Sequence, residues 1–210
     1  MSDGRFAGQV ALVTGAARPR GIGRATAMRL AEGGADVACL DIARPYDDAP
    51  SHGTASTDDL DAVVADIQAL GRRAVAVRAD VSSEEQVDAA VAEASEALGT
   101  ITLVANVAGG SGPGFGLGPL LSVPAEEFRR VLDVNLIGSW LVAKAAAQRM
   151  VDAKVDDIVA TGADTLLAAD LGCLMNIAGR LARLGSGVRV RHVAEVLAGM
   201  TSGPAIGEAA

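Results

Sequence analysis

Apolar and polar positions form short blocks along the first 41 residues. Residues 9–15, QVALVTG, are a β-rich run ending at a glycine, and residues 21–34, GIGRATAMRLAEGG, carry apolar side chains at helical spacing. Two glycines end that helix, and DVACLD at residues 36–41 returns to a strand pattern. The pattern therefore predicts a β-α-β unit.

The alternation continues to about residue 150. A polar loop at residues 44–57 precedes a helix that ends at Gly71, and RAVAVRADV at residues 73–81 is the third predicted strand. Ser83 and Gln86 match a capping box, which predicts a helix from there to Leu98. Residues 101–110 form a fourth strand, followed by a flexible glycine-rich loop at 109–119 and a helix over 125–150 interrupted near Asn135.

Strands that alternate with helices through short connections predict an α/β fold, a doubly wound parallel sheet of Rossmann type. Ligands of such sheets bind beyond the carboxyl ends of the strands, where the strand order reverses. This topology places the first glycine-rich loop, Asp41, Asp80 and Asn106 along one edge of the sheet.

The last third has two possible patterns. In one, residues 154–161 are helical and 164–170 form a strand; in the other, a strand lies at 157–160. Both continue with a helix ending at Gly185, a strand at 188–193 and a short helix, and both let the tail cover the open edge of the fourth strand. We expect a tail at 152–200 that packs on or extends the same domain, and a frayed terminus at 201–210.

Composition excludes several classes of function. The chain has 210 residues, of which 50% are hydrophobic and 2% aromatic, so one domain with an aliphatic core is expected. A net charge of −8 argues against nucleic-acid binding, which requires clustered lysine and arginine.

No apolar run approaches the about 18 residues of a membrane span, and no secretory signal is visible, so we expect a cytoplasmic protein without a membrane partner. Cys39 and Cys173 form no metal-binding pair.

The first glycine-rich loop, residues 15–23, carries the clearest chemical signal and is called the glycine-rich loop below. Gly15, Gly21 and Gly23 follow a strand and open a helix, which lets the backbone and the helix N-terminus approach a pyrophosphate. Asp41 ends the next strand, where its carboxylate would bind an adenosine ribose and repel a 2′-phosphate. NAD is therefore favoured over NADP, although arginines at 18, 20 and 44 are close in sequence and would favour NADP.

Four motifs in order resemble the short-chain dehydrogenases/reductases over about residues 6–151. TGAARPRGIG resembles that family's TGxxxGxG loop with two extra residues, DV at 80–81 its adenine-contacting pair, NVAG at 106–109 its NNAG, and VNLIGSW its helix asparagine, Asn135. The resemblance implies a truncated dinucleotide-binding region whose cofactor-binding residues are Gly15, Arg20, Gly21, Ile22, Gly23, Asp41, Asp80, Val81, Asn106, Ala108 and Gly109.

The catalytic residues of that family are not found. The family uses a tyrosine to move the proton, a lysine four residues later to lower the tyrosine pKa, and a serine to polarise the substrate oxygen. The only tyrosine is Tyr46, four residues before Pro50, and Lys144 and Lys154 have no tyrosine partner. Thr161 would mimic the serine if it ended a fifth strand, and His52 and His192 lie in no motif. We therefore assign no catalytic residue.

Residues 154–200 resemble a different family, the iron–sulfur subunits of lactate-utilisation and glycolate-oxidase type. DLGC, ending at Cys173, is similar to the end of their CCG domain, where a cysteine contributes to a cluster. Such clusters need several thiolates, and Cys173 stands alone.

Three functions remain open. The chain is an NAD(P)-binding protein without hydride transfer, an active oxidoreductase on an alcohol or ketone, or an interaction module derived from an iron–sulfur subunit. The helix at 125–150 resembles the segment through which short-chain dehydrogenases pair, so a homo-oligomer is expected.

Overall fold

The computed structural model describes residues 4–44, 54–168, 171–200 and 202–208. The chain divides into two compact units, Met1–Ala147 and Gln148–Ala210. The first unit has a parallel four-stranded sheet of order β3-β2-β1-β4, which is the expected α/β, Rossmann-like architecture. Its strands are β1 Val10–Thr14, β2 Asp36–Asp41, β3 Ala74–Arg78 and β4 Leu103–Ala105.

Helices cover both faces of this sheet. α1, Ile22–Glu32, and α2, Thr57–Ala69, bury apolar residues against alternate positions of β1 and β2, such as Val13 and Val37. The intervening positions, Leu12 and Leu40, are buried as well, and α3, Glu84–Leu98, contacts β2 and β3. Every strand position of β1 and β2 is buried, and between the polar residues at the strand ends the sequence is continuously apolar rather than alternating.

The capping of α3 differs from the predicted box. Ser83 caps the helix by accepting a hydrogen bond from the Gln86 N–H, 3.4 Å away. The Gln86 side chain accepts from the Asp80 N–H at 3.1 Å instead of returning to Ser83. The helix therefore begins as expected, but Gln86 stabilises the end of the preceding strand.

After β4 the chain forms α4, Ala125–Leu132, a π-helix, Asp133–Ile137, and α5, Gly138–Ala160. The π-helix confirms the interruption predicted near Asn135. The glycine-rich loop before α4 contains a turn in which Gly112 and Phe115 exchange backbone hydrogen bonds of 3.1 and 2.8 Å. That turn buries the Phe115 side chain, which the glycine content of the loop did not predict.

The second unit contains the remaining elements, β5 Thr165–Ala168, α6 Leu171–Arg183, β6 Arg189–His192 and α7 Val193–Leu197. Residues 157–160 are helical, so the alternative is wrong, and the strand predicted at 164–170 is found at Thr165–Ala168, with residues 169–170 outside the described residues. β5 and β6 pair in parallel as a two-stranded sheet, and the covering of the β4 edge by the tail stays a prediction. Val155, Leu174, Leu181 and Val190 form the core of this unit.

Residues 202–208 are held against β6, where the pattern predicts fraying. The Ile206 N–H donates to the Val190 carbonyl at 2.8 Å, and the buried Arg191 guanidinium donates to the Gly203 carbonyl at 2.5 Å. Ala205 is buried beside them. The sequence pattern predicted fraying because it shows only local periodicity, whereas this segment is ordered by tertiary hydrogen bonds.

Candidate functional site

One cavity of about 450 Å³ lies at the carboxyl ends of β1, β2 and β4. It brings together ten of the eleven residues predicted to bind a cofactor, which are Gly15, Arg20, Gly21, Ile22, Gly23, Asp41, Asp80, Val81, Ala108 and Gly109. Asn106 does not line it: this side chain is exposed, and its amide donates to the Ser139 carbonyl at 3.2 Å.

Glycines 15 and 23 permit a close approach of backbone segments at the base of the cavity. Gly15 has φ 67°, and a Cβ there would lie 2.9 Å from Ala108 Cα. A Cβ on Gly23 would collide with the Gly15 carbonyl. The loop can therefore fold onto the first turn of α1 only with glycine at both positions.

Thr14 fixes the strand end against the neighbouring segment. Its buried hydroxyl oxygen accepts hydrogen bonds from the Val107 and Ala108 N–H groups at 2.9 and 3.0 Å. The role of Thr14 was not predicted, although it opens the Thr-Gly-Ala run. Those two bonds hold the segment after β4 at the cavity wall.

Residues 18–21, where this loop is longer than the family's by two residues, form a tight turn before α1. The Gly21 N–H donates to the Arg18 carbonyl at 2.9 Å, and both Arg18 and Arg20 line the cavity. Gly21 is the N-cap of α1, so the positive end of the helix dipole lies on the same side of the cavity as these two arginine residues. The electrostatics favour an anion here.

Asp41 closes the neighbouring part of the cavity. Its Oδ2 accepts from the Ala17 N–H at 2.9 Å, and its Oδ1 from the Ala43 N–H at 3.1 Å. The residue is 9% exposed and Ala43 has φ 45°, a left-handed conformation unusual for alanine. The carboxylate therefore faces the cavity from a fixed position.

Asp80 and Val81 form the wall beyond Asp41. Asp80 Oδ1 accepts from the Ser82 N–H and hydroxyl at 3.0 and 2.6 Å, and Oδ2 lies 3.6 Å from Arg44. Val81 packs against Gly138, where a Cβ would lie 2.8 Å from Val81 Cγ2. A flat group would meet an apolar surface with a polar edge here.

Asn135, in the π-helix, holds the segment after β4 in place at the cavity wall. Its Oδ1 accepts from the Gly110 N–H at 2.9 Å, and its Nδ2 donates to the Gly110 carbonyl at 3.0 Å. Gly109 is equally constrained, because a Cβ there would lie 2.8 Å from Asn135 Oδ1. Phe115, Val134, Thr54 and Ala55 also line the cavity and were not predicted, since only tertiary folding brings them there.

This cavity is not lined by Thr161, His192, Cys39 or Lys144. Thr161 lies in the turn after α5 and donates to the Ile158 carbonyl at 2.7 Å, and His192 caps α7 by accepting from the Ala194 N–H. Tyr46 and His52 lie outside the described residues. Burial raises the pKa of Cys39 to about 12, so this thiol is protonated at neutral pH. A hydrogen bond to Glu84 raises the pKa of Lys144.

No helix among the described residues is long and apolar enough to cross a membrane.

Comparison with known proteins relates most of the chain to one family. A sequence model described as short chain dehydrogenase matches residues 9–166. The (-)-trans-carveol dehydrogenase of Rhodococcus erythropolis is 39% identical over 144 residues, which are 68% of this chain and 49% of that protein. The chain thus spans about half the length of that curated relative.

The fold agrees with the sequence relationship. The crystal structure of carveol dehydrogenase from Mycobacterium avium in complex with NAD has a TM-score of 0.63 at 27% identity, and the match covers 86% of this chain and 64% of that one.

A C-terminal stretch is similar to a different protein. Lactate utilization protein A 2 of Bacillus mycoides is 59% identical over 87 residues, which are 40% of this chain and 36% of that protein. The resemblance expected for the tail is thereby confirmed.

Proposed function

The chain belongs to the short-chain dehydrogenase family, and we propose that it binds NAD in the cavity at the carboxyl ends of β1, β2 and β4. The observation that carries the proposal is the convergence of ten predicted cofactor residues, from three of the motifs and from Asp41 at the end of β2, around one cavity. A volume of about 450 Å³ lies within the range of small-molecule sites.

Each part of the cavity suits one part of the dinucleotide. The glycine-rich loop, Arg20 and the N-terminus of α1 would hold the pyrophosphate. Asp41 would accept hydrogen bonds from the adenosine ribose, and Asp80 with Val81 would contact the adenine. Ala108 and Gly109 would line the path toward the nicotinamide, and Asn106 would act only through its bond to Ser139.

NAD is proposed over NADP because of Asp41. Its buried carboxylate would repel a 2′-phosphate, whereas ribose hydroxyls would donate to it. The NAD-bound carveol dehydrogenase structure supports the same choice.

Binding without hydride transfer is the favoured form of the proposal. The chain has no Tyr-x-x-x-Lys, and the amide of Asn135 is engaged by Gly110. An active NAD-dependent oxidoreductase on an alcohol or ketone is the second candidate, favoured by the activity named for the carveol dehydrogenase relative.

Isothermal titration calorimetry with NAD and NADP tests the site. We expect NAD to bind more tightly, and no heat of binding with either nucleotide would overturn the proposal. Absorbance of reduced nicotinamide with a panel of alcohols and ketones then separates the two candidates, because sustained turnover excludes a binding-only protein.

The tail supports a third candidate, an interaction module joined to a dehydrogenase-derived domain. The 59% identity to a lactate utilization protein favours a gene fusion as its origin. We propose that residues 6–151 form the dinucleotide-binding region and residues 152–200 the tail. Co-purification of a co-expressed iron–sulfur partner with the full chain, and its loss on deletion of the tail, would support this candidate.

A further inference from the structure

We propose that Asp41 is a positioning residue for the glycine-rich loop, in addition to contacting the adenosine ribose. The pyrophosphate end of the cavity would then depend on a carboxylate that does not touch the pyrophosphate. This inference rests on the proposed NAD site and assigns Asp41 a second role within it.

Two consecutive N–H groups anchor the loop to the end of β2. The Ala16 N–H donates to the Leu40 carbonyl at 3.2 Å, which extends the pairing of β1 with β2 by one bond. The Ala17 N–H donates to Asp41 Oδ2 at 2.9 Å. Both alanines are fully buried, so each N–H needs a protein acceptor. At Ala17, the Asp41 carboxylate accepts the hydrogen bond that a main-chain carbonyl of β2 accepts at Ala16.

The second carboxylate oxygen holds a different segment. Asp41 Oδ1 accepts from the Ala43 N–H at 3.1 Å, and Ala43 has φ 45°. This conformation is costly for alanine and requires support from its surroundings. One carboxylate therefore ties the glycine-rich loop to the start of the β2–α2 connection. Asparagine cannot reproduce both bonds because its amide nitrogen does not accept hydrogen bonds.

A loop fixed before ligand binding needs no ordering when the ligand arrives. Loss of the Ala17 anchor should therefore weaken binding of any ligand that uses the loop backbone, including one without an adenosine. If Asp41 acted only through the ribose, a ligand lacking adenosine would bind equally well without it.

Asp41→Asn tests this with two half-ligands, nicotinamide mononucleotide and AMP, measured by isothermal titration calorimetry. The matched control is Asp80→Asn, because Asp80 lines the same cavity with the same 9% exposure but accepts from Ser82 rather than from the loop. We expect Asp41→Asn to weaken both half-ligands, the mononucleotide by about three- to tenfold, which corresponds to one hydrogen bond. Asp80→Asn should weaken AMP alone.

Hydrogen exchange of the ligand-free chain gives an independent readout. Asp41→Asn should accelerate exchange of the Ala17 amide at least tenfold. The Val107 and Ala108 amides, which donate hydrogen bonds to the Thr14 hydroxyl oxygen, should keep their protection. Because asparagine keeps one accepting oxygen, the same measurements are made on Asp41→Ala, which keeps none. Unchanged exchange at Ala17, or unchanged mononucleotide affinity, in Asp41→Ala would overturn the positioning role.

The two proposals fail in different ways. If the unaltered chain binds no nucleotide, the NAD proposal fails, and exchange at Ala17 still decides the role of Asp41 in the loop. If Asp41→Asn does not fold, Asp41→Ser, whose hydroxyl accepts fewer hydrogen bonds, is used for the same measurements.

Discussion

Asp36, at the start of β2, shows how a buried charge can be stabilised far from the proposed site. Its Oδ1 accepts from Arg72 at 2.5 Å and from the Arg73 N–H at 3.0 Å, and its Oδ2 accepts from the Arg73 side chain at 2.8 Å. Burial raises the pKa of Asp36, but the Arg73 hydrogen bonds and the two guanidinium charges outweigh it, so the net pKa lies below its usual value.

We predict that Asp36→Asn lowers the free energy of unfolding at pH 7 by about 1–3 kcal/mol, because the arginines lose a charged acceptor. A lowered folded-state pKa means that the stabilisation is complete above the unfolded value of about 3.9 and is lost as pH falls through the folded value. Urea denaturation at pH 7 and pH 3 should therefore show the two chains converging in acid.

The exposed Asp61→Asn on α2 is the control for Asp36→Asn and should change stability by less than about 0.5 kcal/mol. A difference between Asp36→Asn and the unaltered chain that does not shrink between pH 7 and pH 3 would contradict the ion-pair account.

Gly23 makes a second residue-scale prediction. Gly23→Ala should weaken NAD binding at least about tenfold and cost about 1–3 kcal/mol of stability, because the new methyl group collides with the Gly15 carbonyl. Gly187→Ala is the control, since its Cβ would meet nothing within 4 Å. Calorimetry measures the NAD affinity of both variants, and thermal melting measures their stability. An unchanged NAD affinity in Gly23→Ala would show that the glycine-rich loop is not part of the NAD site.

At the scale of elements, the π-helix at Asp133–Ile137 links α4 and α5 to the cavity. π-Bulges often occur at functional sites because they re-aim a side chain. Here the bulge aims Asn135 at both polar groups of the Gly110 peptide. Asn135 thus orients the segment after β4.

We predict that Asn135→Ala lowers the unfolding free energy by about 1–2 kcal/mol and weakens NAD several-fold through Gly109 and Gly110, two residues of the cavity wall. Asn106→Ala should affect NAD binding less, because the Asn106 amide makes one hydrogen bond where that of Asn135 makes two. Equal effects on NAD affinity would contradict the distinction between the two asparagines.

Elements with strong local signals could be predicted from the sequence. β1, α1 and β2 follow from an apolar run, helical spacing and glycine stops, and the sequence motifs identified ten of the residues that line the cavity. Non-local choices could not be predicted. No local pattern tells whether β5 pairs with β4 or β6, and Phe115 is buried only because of a turn within a glycine-rich loop.

At the scale of the whole molecule, the first unit leaves an apolar stripe on its surface. Phe128, Leu136 and Trp140 are 55%, 60% and 57% exposed, and Leu132 continues the row at the same four-residue spacing. Side chains four residues apart lie on one face of an α-helix, and this row runs from α4 through the π-helix into α5. Exposed apolar patches of this kind mark protein–protein interfaces.

We propose that this stripe, Phe128, Leu132, Leu136 and Trp140, pairs with the same stripe of a second copy. A two-fold interface requires a self-complementary surface, and an apolar helix row satisfies this without charge matching. Leu136→Arg would place two guanidinium groups opposite each other in an apolar contact, and we expect it to shift the sedimentation coefficient from a dimer to a monomer.

Leu70→Arg is the matched control for the stripe, because Leu70 is exposed at the end of α2, outside the stripe. Sedimentation velocity at several concentrations should give a dimer for this variant and for the unaltered chain. We expect circular dichroism to show that Leu136→Arg is folded, because Leu136 is largely exposed. A monomeric unaltered chain, or a dimer that survives Leu136→Arg, would show that the stripe does not mediate pairing.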